Sequence, residues 1–196
     1  MRTQRNATIV RASRRAGFTM IELLIVVTIS GIMVAIAAPH FRITELAETQ
    51  LAGMQLVQDV DFARTRALAT RALSRVKFED NSTPDYAGYL DTDADSTIFE
   101  TADEMTFFHG FGKRPLPDRV VYGRGTIPAI PNDVSSSGIT FANSRVEFNS
   151  RGIPQPIGTS GVVYLHHANK LSAVVAVQVT AAGNVRLWTY KDGSWK

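Results

Sequence analysis

The sequence Gly17-Phe18-Thr19-Met20-Ile21-Glu22-Leu23-Leu24 opens an apolar run that continues to residue 38. Within residues 18–38 the only charged side chain is Glu22, and at about 1.5 Å per residue a helix of this length matches a hydrocarbon core of about 30 Å. The stretch therefore predicts a membrane-spanning helix. An ionised carboxylate at the centre of such a helix costs about 2.5 to 3.5 kcal/mol, so Glu22 is expected to lie near the interface or to have a partner.

A basic segment precedes the apolar run. Residues 1–17 contain no acidic residue and the arginines Arg2, Arg5, Arg11, Arg14 and Arg15. Because basic residues favour the cytoplasmic side, this segment predicts a cytoplasmic N-terminus and places the chain after Pro39 across the membrane. Cleavage after Gly17 would leave a cationic α-amine on Phe18, which could meet Glu22 of a neighbouring copy.

This combination resembles the prepilin signal of type IV pilins and of the pseudopilins of type II secretion. The resemblance implies cleavage between Gly17 and Phe18 by a prepilin peptidase, followed by N-methylation of Phe18. It also implies that Glu22, fifth in the mature chain, pairs with the amine of the adjacent subunit during filament assembly. Pro39 matches a helix-bending proline in these proteins.

Two other interpretations of the N-terminus fit the sequence less well. Ala35-Ile36-Ala37 is an A-x-A site for an ordinary secretory signal, but the apolar run before it exceeds the usual 7 to 15 residues and contains Glu22. An uncleaved anchor explains the arginines but leaves the Gly17/Phe18 junction and Glu22 without a role. Both are disfavoured.

The sequence after the apolar run predicts an amphipathic helix and then short strands. Apolar residues recur every three or four positions from residue 43, so residues 39–73 are expected to continue the first helix, bent at Pro39. Gly31 and Gly53 are each expected to weaken the helix by about 1 kcal/mol relative to alanine. Short β-rich runs then predict strands at 75–79, 88–90, 105–109, 119–122, 138–141, 145–149, 162–166, 173–180 and 185–190.

The predicted fold class is α+β. A long N-terminal transmembrane and amphipathic helix precedes an antiparallel, sandwich-like, pilin-like head. The predicted divisions are a cleaved leader (1–17), a transmembrane helix (18–38), an amphipathic continuation (39–73) and a periplasmic head (74–196). The last two predicted strands, joined across Ala181-Ala182-Gly183-Asn184, form the clearest hairpin.

Two head segments narrow the resemblance. Val146-Glu147-Phe148-Asn149-Ser150-Arg151-Gly152 and Gly183-Asn184-Val185-Arg186 are similar to segments of the GspH/FimT family of minor pseudopilins and minor pilins. Several members of that family carry Gly-Arg-x-Arg where this chain has Asn184, so a function tied to the first of those arginines is not expected here.

Composition argues against an enzyme. The chain has no cysteine and no G-x-S-x-G run, so a nucleophile with a placed base is not evident, and no cofactor is expected. His166 and His167 lie at a predicted strand end with their rings on opposite faces, which favours two solvated side chains over a metal pair. The net charge of +3 includes the five leader arginines, so the mature chain carries −2.

Two segments of the head carry candidate binding residues. In the last strand Arg186, Trp188 and Tyr190 share one face, and with Lys191 and Lys196 they form a basic and aromatic ridge that could bind DNA. Packing against the stem helix or a partner pilin is the favoured interpretation of these aromatic residues.

An acidic run is the second candidate. Asp91, Asp93 and Asp95 alternate like the start of a calcium loop, although the loop glycine is missing and Ala102 stands at the twelfth position. Glu100 or Asp103 could replace the glutamate that belongs there. A solvated acidic loop without metal is the favoured interpretation.

The sequence thus predicts a non-enzymatic minor pseudopilin of the GspH type in the type II secretion pseudopilus. The alternative is a FimT/FimU-like minor pilin at the tip of a type IV pilus, with a role in DNA uptake. Expected partners are the prepilin peptidase and methyltransferase, other pilins or pseudopilins, the inner-membrane assembly platform and, before assembly, membrane lipid. The expected location is the bacterial inner membrane, single-pass, with the head in the periplasm.

Overall fold

The computed structural model describes residues 18–37, 44–93, 95–105 and 113–196. The chain divides into two units, Met1–Arg42 and Ile43–Lys196. Helix α1 (Met20–Ala37) belongs to the first unit, and helix α2 (Glu45–Thr70) with all the described strands belongs to the second. The predicted helix over residues 18–73 is therefore described as two helices. Pro39, where a bend was predicted, lies outside the described residues.

Local sequence signals set both ends of α2. Thr44 is the N-cap, and its Oγ1 accepts a hydrogen bond from the Ala47 backbone N–H at 3.3 Å. Glu45 and Glu48 in the first turn complement the positive end of the helix dipole. The helix ends at Thr70, and the φ of 56° at the C-cap Arg71 turns the backbone out of the helix.

The head contains two antiparallel five-stranded sheets. Sheet 1 has the order β3-β2-β1-β5-β6 and sheet 2 the order β10-β9-β8-β7-β4. The strands are β1 (Ser74–Glu79), β2 (Asp85–Leu90), β3 (Lys113–Pro115), β4 (Val120–Tyr122), β5 (Arg145–Phe148), β6 (Pro154–Gln155), β7 (Gly161–His167), β8 (Lys170–Val179), β9 (Val185–Lys191) and β10 (Ser194–Trp195).

One core joins α2 to both sheets. Its buried residues come from one face of α2, from sheet 1 and from sheet 2, and include Leu56, Val60, Val76, Phe78, Phe148, Leu165, Val175 and Val177. The alternation along each strand decides which residues face this core, since neighbouring side chains point to opposite faces of a sheet. The α+β prediction with a helix followed by antiparallel sheets is confirmed.

The outer face of each sheet is covered in part by a loop. On sheet 2, Ile130 packs against Val162, Tyr164, Val174 and Ala176. On sheet 1, Ile98 packs against Ala87 and Tyr89. These two smaller clusters bury apolar side chains of β2, β7 and β8 that point away from the main core.

The predicted strands differ from the observed ones in a few places. The hairpin of β8 and β9 is confirmed, with five paired positions from Val175↔Thr189 to Val179↔Val185. The predicted strand at 138–141 is wrong, because only Ile139 forms a bridge and Thr140 Oγ1 accepts the Val162 N–H in place of a backbone oxygen. Met105 is not in a strand, and the rest of the predicted strand at 105–109 lies outside the described residues. Strands β3, β6 and β10 were not predicted.

Candidate functional site

The N-terminal motif forms the start of helix α1. Thr19 immediately precedes the helix, and its Oγ1 accepts a hydrogen bond from the Glu22 backbone N–H at 3.2 Å. Thr19 and Glu22 have the spacing of a capping box, in which a threonine at the N-cap is followed three residues later by a glutamate. The carboxylate also lies at the positive end of the helix dipole. Glu22 therefore stabilises the start of its own helix, in addition to the pairing with a neighbouring subunit that the resemblance to prepilins implies.

The described side chains of α1 are exposed on every side of the helix. The described large apolar residues are each half exposed or more, from Ile25 at 50% to Met20 at 94%. They are Phe18, Met20, Ile21, Leu23, Leu24, Ile25, Val26, Val27, Ile29, Ile32, Met33, Val34 and Ile36. A helix that is apolar on all faces needs lipid or other protein around it.

Other N-terminal predictions fall partly beyond the described ranges. Phe18 is 79% exposed, whereas Gly17 and Pro39 lie outside the described residues. Within the ranges that the structure covers, no helix combines the length and the apolar character needed to cross a lipid bilayer.

The residues of the C-terminal ridge lie in two environments: some face solvent, and others pack on the apolar cluster at the outer face of sheet 2. Val185 and Leu187 pack on the main core, whereas Trp188 and Tyr190 pack on the opposite face of the sheet, as the alternation predicts. Their side chains lie against the apolar cluster on the outer face of sheet 2, which contains Ile130. The favoured packing of these rings on the stem helix or on a partner pilin stays a prediction, and the structure adds the Ile130 cluster as a neighbour within the head.

Hydrogen bonds hold Trp188 of the ridge and the neighbouring Trp195 in place. Trp188 Nε1 donates to Gln178 Oε1 at 3.0 Å, and Trp195 Nε1 donates to the Pro128 carbonyl at 3.0 Å. The rings of Tyr190 and Trp195 meet edge to face with centroids 5.4 Å apart. These contacts attach the end of the chain to the loop that contains Pro128.

The basic members of the ridge face solvent. Arg186 and Lys191 are exposed, and exposed Lys196 forms an ion pair with Asp192 at 3.1 Å. The five ridge residues are thus close in sequence and differ in environment: the cations are exposed and the rings are half-buried.

The two head segments that resemble the GspH/FimT family meet in space. A Cβ added to Gly183 would lie 2.4 Å from the Gly152 carbonyl oxygen, so a side chain has no room there. Both glycines also have positive φ, 82° at Gly183 and 67° at Gly152. Arg64 of α2 donates from Nε to that same Gly152 oxygen at 3.0 Å. These contacts hold together α2, the turn after β5 and the turn between β8 and β9.

A buried polar cluster, which the sequence did not reveal, connects α2 to sheet 1. Asp59 is 6% exposed, and its Oδ2 accepts a hydrogen bond from the Tyr86 hydroxyl at 2.6 Å. Arg114 of β3 lies 3.0 Å from the same oxygen, and Gln55 Nε2 donates to Oδ1 at 3.1 Å. Burial and the bond to Asp59 raise the pKa of Tyr86 far above its usual value.

A second charged network lies on the outer face of sheet 1. Arg75 is 6% exposed and bridges Glu100 and Glu147, each at 2.8 Å. Burial disfavours ionisation of Glu100, but the hydrogen bond and charge of Lys77, together with those of Arg75, outweigh it and lower the pKa of Glu100. This network holds the loop after β2 against the sheet.

His167 differs from its expected solvated position. It is 1% exposed, its Nδ1 accepts the Asn169 N–H at 3.1 Å, and its Nε2 lies 3.3 Å from Glu48 Oε2 on α2. The strand register shifts between His166 and His167, and period-two alternation cannot predict such a shift. His167 therefore packs between sheet 2 and the first turn of α2.

The acidic run forms a compact cluster. One carboxylate oxygen from each of Asp91, Asp93 and Asp95 lies within 4.8 Å of the others, and only Asp91 is buried. These are the described residues best placed to hold a metal ion.

Comparisons with known proteins identify the N-terminal motif and the fold. The model of the prokaryotic N-terminal methylation motif matches residues 12–38. No curated protein sequence matches the chain.

Among solved structures, the type IV minor pilin FimU of Pseudomonas aeruginosa (strain PAO1) in a P21 crystal is similar, with a TM-score of 0.50 and 11% identity. That match covers 76% of this chain and 92% of FimU. A P65 crystal of the same protein gives a TM-score of 0.47 at 11% identity, covering 75% of this chain and 96% of FimU. The chain thus carries the methylation motif and has a pilin-like fold.

Proposed function

We propose that this chain, with its N-terminal methylation motif and pilin-like fold, is a non-enzymatic minor subunit of a type IV pilin-like filament. The observation that carries the proposal is the apolar surface around the whole of α1, joined in one chain to a head with its own core. Lipid covers that surface in the precursor, and the helices of other subunits cover it in the filament. The head then supplies specificity for neighbouring subunits.

The precursor is anchored in the inner membrane by residues 18–38 with its N-terminus in the cytoplasm. The uninterrupted apolar sequence and the five leader arginines support this arrangement. A prepilin peptidase cleaves between Gly17 and Phe18 and the new N-terminus is methylated, as the resemblance to prepilins implies. The exposed position of Phe18 is compatible with access by the enzyme.

Glu22 pairs with the N-terminal amine of the adjacent subunit and sets the register of assembly. Its helix-capping position means that a loss of function in Glu22→Ala alone has two explanations. Glu22→Gln separates them, because glutamine is also found at this capping-box position but carries no charge. Both variants are expected to be cleaved normally and to be absent from purified filaments.

The measurement compares the cleaved and uncleaved chain by electrophoresis and the chain content of filaments by immunoblot. A Glu22→Gln chain that enters filaments at the wild-type level would refute the charge pairing. Thr28→Val serves as the control, because Thr28 is also a polar residue of α1 and its hydroxyl donates a hydrogen bond to the Leu24 carbonyl within the helix at 2.7 Å. This control is expected to assemble.

Two machines are candidates for the filament. In the type II secretion pseudopilus the chain would be a minor pseudopilin of the GspH type, and in a type IV pilus it would be a FimT/FimU-like minor pilin. The FimU-like fold favours the second, although at 11% identity the likeness concerns the fold. A clean deletion, assayed in parallel for surface pili and for released proteins, separates them. Loss of pili with normal secretion assigns the pilus, and retained periplasmic enzymes with normal pili assign the pseudopilus.

DNA binding by the C-terminal ridge is the further activity that a pilus-tip role would include. The exposed cations Arg186 and Lys191 favour it, whereas the half-buried rings of Trp188 and Tyr190 leave less aromatic surface for bases. Alanine at Arg186, Lys191 and Lys196 leaves the packed rings in place and is expected to abolish DNA retention. The matched control is Lys170→Ala, another exposed cation of sheet 2. Unchanged retention in the triple variant would exclude this activity.

A further inference from the structure

The acidic loop after β2 has the dimensions of a cation site, and we propose that it binds calcium through Asp91, Asp93 and Asp95. One oxygen from each carboxylate lies within 4.8 Å of the other two. Calcium takes oxygen ligands at about 2.3 to 2.6 Å, so oxygens around one ion are separated by up to about 5 Å. The three oxygens can therefore contact a single ion without a large movement of the loop.

Asp91 supplies the observation that distinguishes this loop from an ordinary acidic surface. Its residue is 5% exposed, and its Oδ2 accepts the Ser96 backbone N–H at 2.9 Å. Its Oδ1 is fully buried and has no hydrogen-bond partner among the described residues. A buried carboxylate oxygen without a partner is strongly unfavourable, and a bound cation satisfies it.

The backbone of the loop holds the carboxylates in place. Asp93 Oδ1 accepts the Asp95 N–H at 3.4 Å, and Asp95 Oδ1 accepts the Thr97 N–H at 2.7 Å. In calcium loops with alternating carboxylates the sixth position makes a sharp turn and is usually glycine. Ser96 stands at that position and has a φ of 67°, so the turn forms although the glycine is missing.

The second half of the loop differs from a complete calcium loop. Glu104 is buried, but its Oε2 accepts the Phe99 N–H at 2.8 Å and the Thr101 N–H at 3.3 Å. It therefore shapes the loop and does not complete the ion's coordination. With three carboxylates and the remaining positions left to water or backbone carbonyls, the expected dissociation constant is about 10⁻⁴ to 10⁻³ M, as in extracellular calcium modules.

Calcium fits this loop better than magnesium. Magnesium demands near-ideal octahedral geometry at about 2.0 to 2.1 Å and releases its waters reluctantly. The loop offers one buried and two exposed carboxylates on a short irregular segment, which suits the more variable coordination of calcium. Binding would neutralise part of the acidic run at residues 79–104, which contains nine acidic and no basic residues.

The experiment is a calorimetric titration of the full chain in detergent micelles with calcium chloride and, separately, magnesium chloride. One calcium site with a dissociation constant near 10⁻⁴ to 10⁻³ M is expected, with weaker binding of magnesium. Asp93→Asn and Asp95→Asn are each expected to weaken binding at least tenfold. The matched control is Asp103→Asn, which removes the same charge from an exposed position of the same acidic run and should bind as the wild type does.

One further variant, together with measurements of Tm, makes the result independent of folding problems at buried Asp91. Ser96→Gly relieves the left-handed backbone and is expected to bind calcium more tightly. Calcium at about one hundred times the dissociation constant should raise Tm by about 5 °C in the wild type and in Ser96→Gly, and not in Asp93→Asn. Absence of binding up to about 10 mM calcium, or equal weakening by Asp103→Asn, would overturn the site. Neither result would bear on the filament role.

Discussion

Helices α1 and α2 differ in what covers them. Helix α2 buries one face, including Leu56, Val60 and Ala63, in the core that it shares with both sheets. Helix α1 has apolar residues on all faces, and every side chain described in it is exposed. An amphipathic pattern thus marks a helix that packs within its own chain, whereas an all-round apolar pattern marks one whose partners are other molecules. Both tryptophans of the chain lie in the head, so their fluorescence reports the unfolding of the head.

The largest expected effect comes from Asp59, the buried acid of α2. Asp59→Ala removes the carboxylate that accepts the hydrogen bond of the buried Tyr86 hydroxyl and that forms an ion pair with Arg114. The expected loss of free energy of unfolding is about 4 kcal/mol, measured by urea denaturation. Glu22, the exposed acid of α1, provides the control, because Glu22→Ala should leave the free energy of unfolding of the head unchanged. Similar losses in both variants would contradict the comparison.

Matched leucines test the buried and the exposed apolar surfaces. Leu56→Ala opens a cavity in the main core and is expected to lower the free energy of unfolding by about 3 kcal/mol. Leu24→Ala, in α1, removes the same atoms from an exposed position and should leave the unfolding transition of the head in place. A stability loss in the Leu24 variant would show that α1 contributes to the fold of the head.

Matched glycines test how closely each helix approaches a neighbour. A Cβ at Gly53 would lie 2.8 Å from Leu187 Cδ1 and 2.9 Å from Val175 Cγ2, whereas a Cβ at Gly31 would meet nothing within 4 Å. Gly53→Ala is expected to destabilise the head by about 2 kcal/mol through overpacking, despite the better helix propensity of alanine. Gly31→Ala should leave the head unchanged and make α1 more helical. Circular dichroism and denaturation measure both effects.

The smallest expected effect is a dependence on pH in the head. The pKa of Glu100 is lowered by its cationic partners, so its contribution to stability is present above its unfolded pKa and is lost as the pH falls through the folded value. As the pH falls below about 5, the Glu100→Gln variant should therefore lose less stability than the wild type. Parallel pH profiles for the two proteins would exclude this role of Glu100.

The sequence predicted what depends on local pattern. The apolar run, the amphipathic run after it, the β8–β9 hairpin and the two faces of β9 all follow from the period of apolar residues, which local geometry determines. The helix cap at Thr19 was not predicted, although threonine and glutamate three residues apart are a known signal for the start of a helix.

Contacts between distant segments could not be predicted from pattern. Asp59 appeared as a polar residue on α2, and only the fold shows that Tyr86 and Arg114 meet it there. The burial of His167 follows from a register shift, and the half-buried state of Trp188 follows from a loop folding back over sheet 2. Gly53 was interpreted as a weak point of a helix, although the close approach of Leu187 explains it better.

The edges of the described sheets disfavour backbone pairing between copies of this protein. All four edge strands are short: β3 and β4 have three residues each, and β6 and β10 have two. A strand of two or three residues is a poor template for an incoming chain, and short edges are one way in which proteins resist aggregation. In the proposed filament, neighbouring heads are therefore not expected to pair edge to edge into a continuous sheet, and their ordered association would depend on side chains and on the helices.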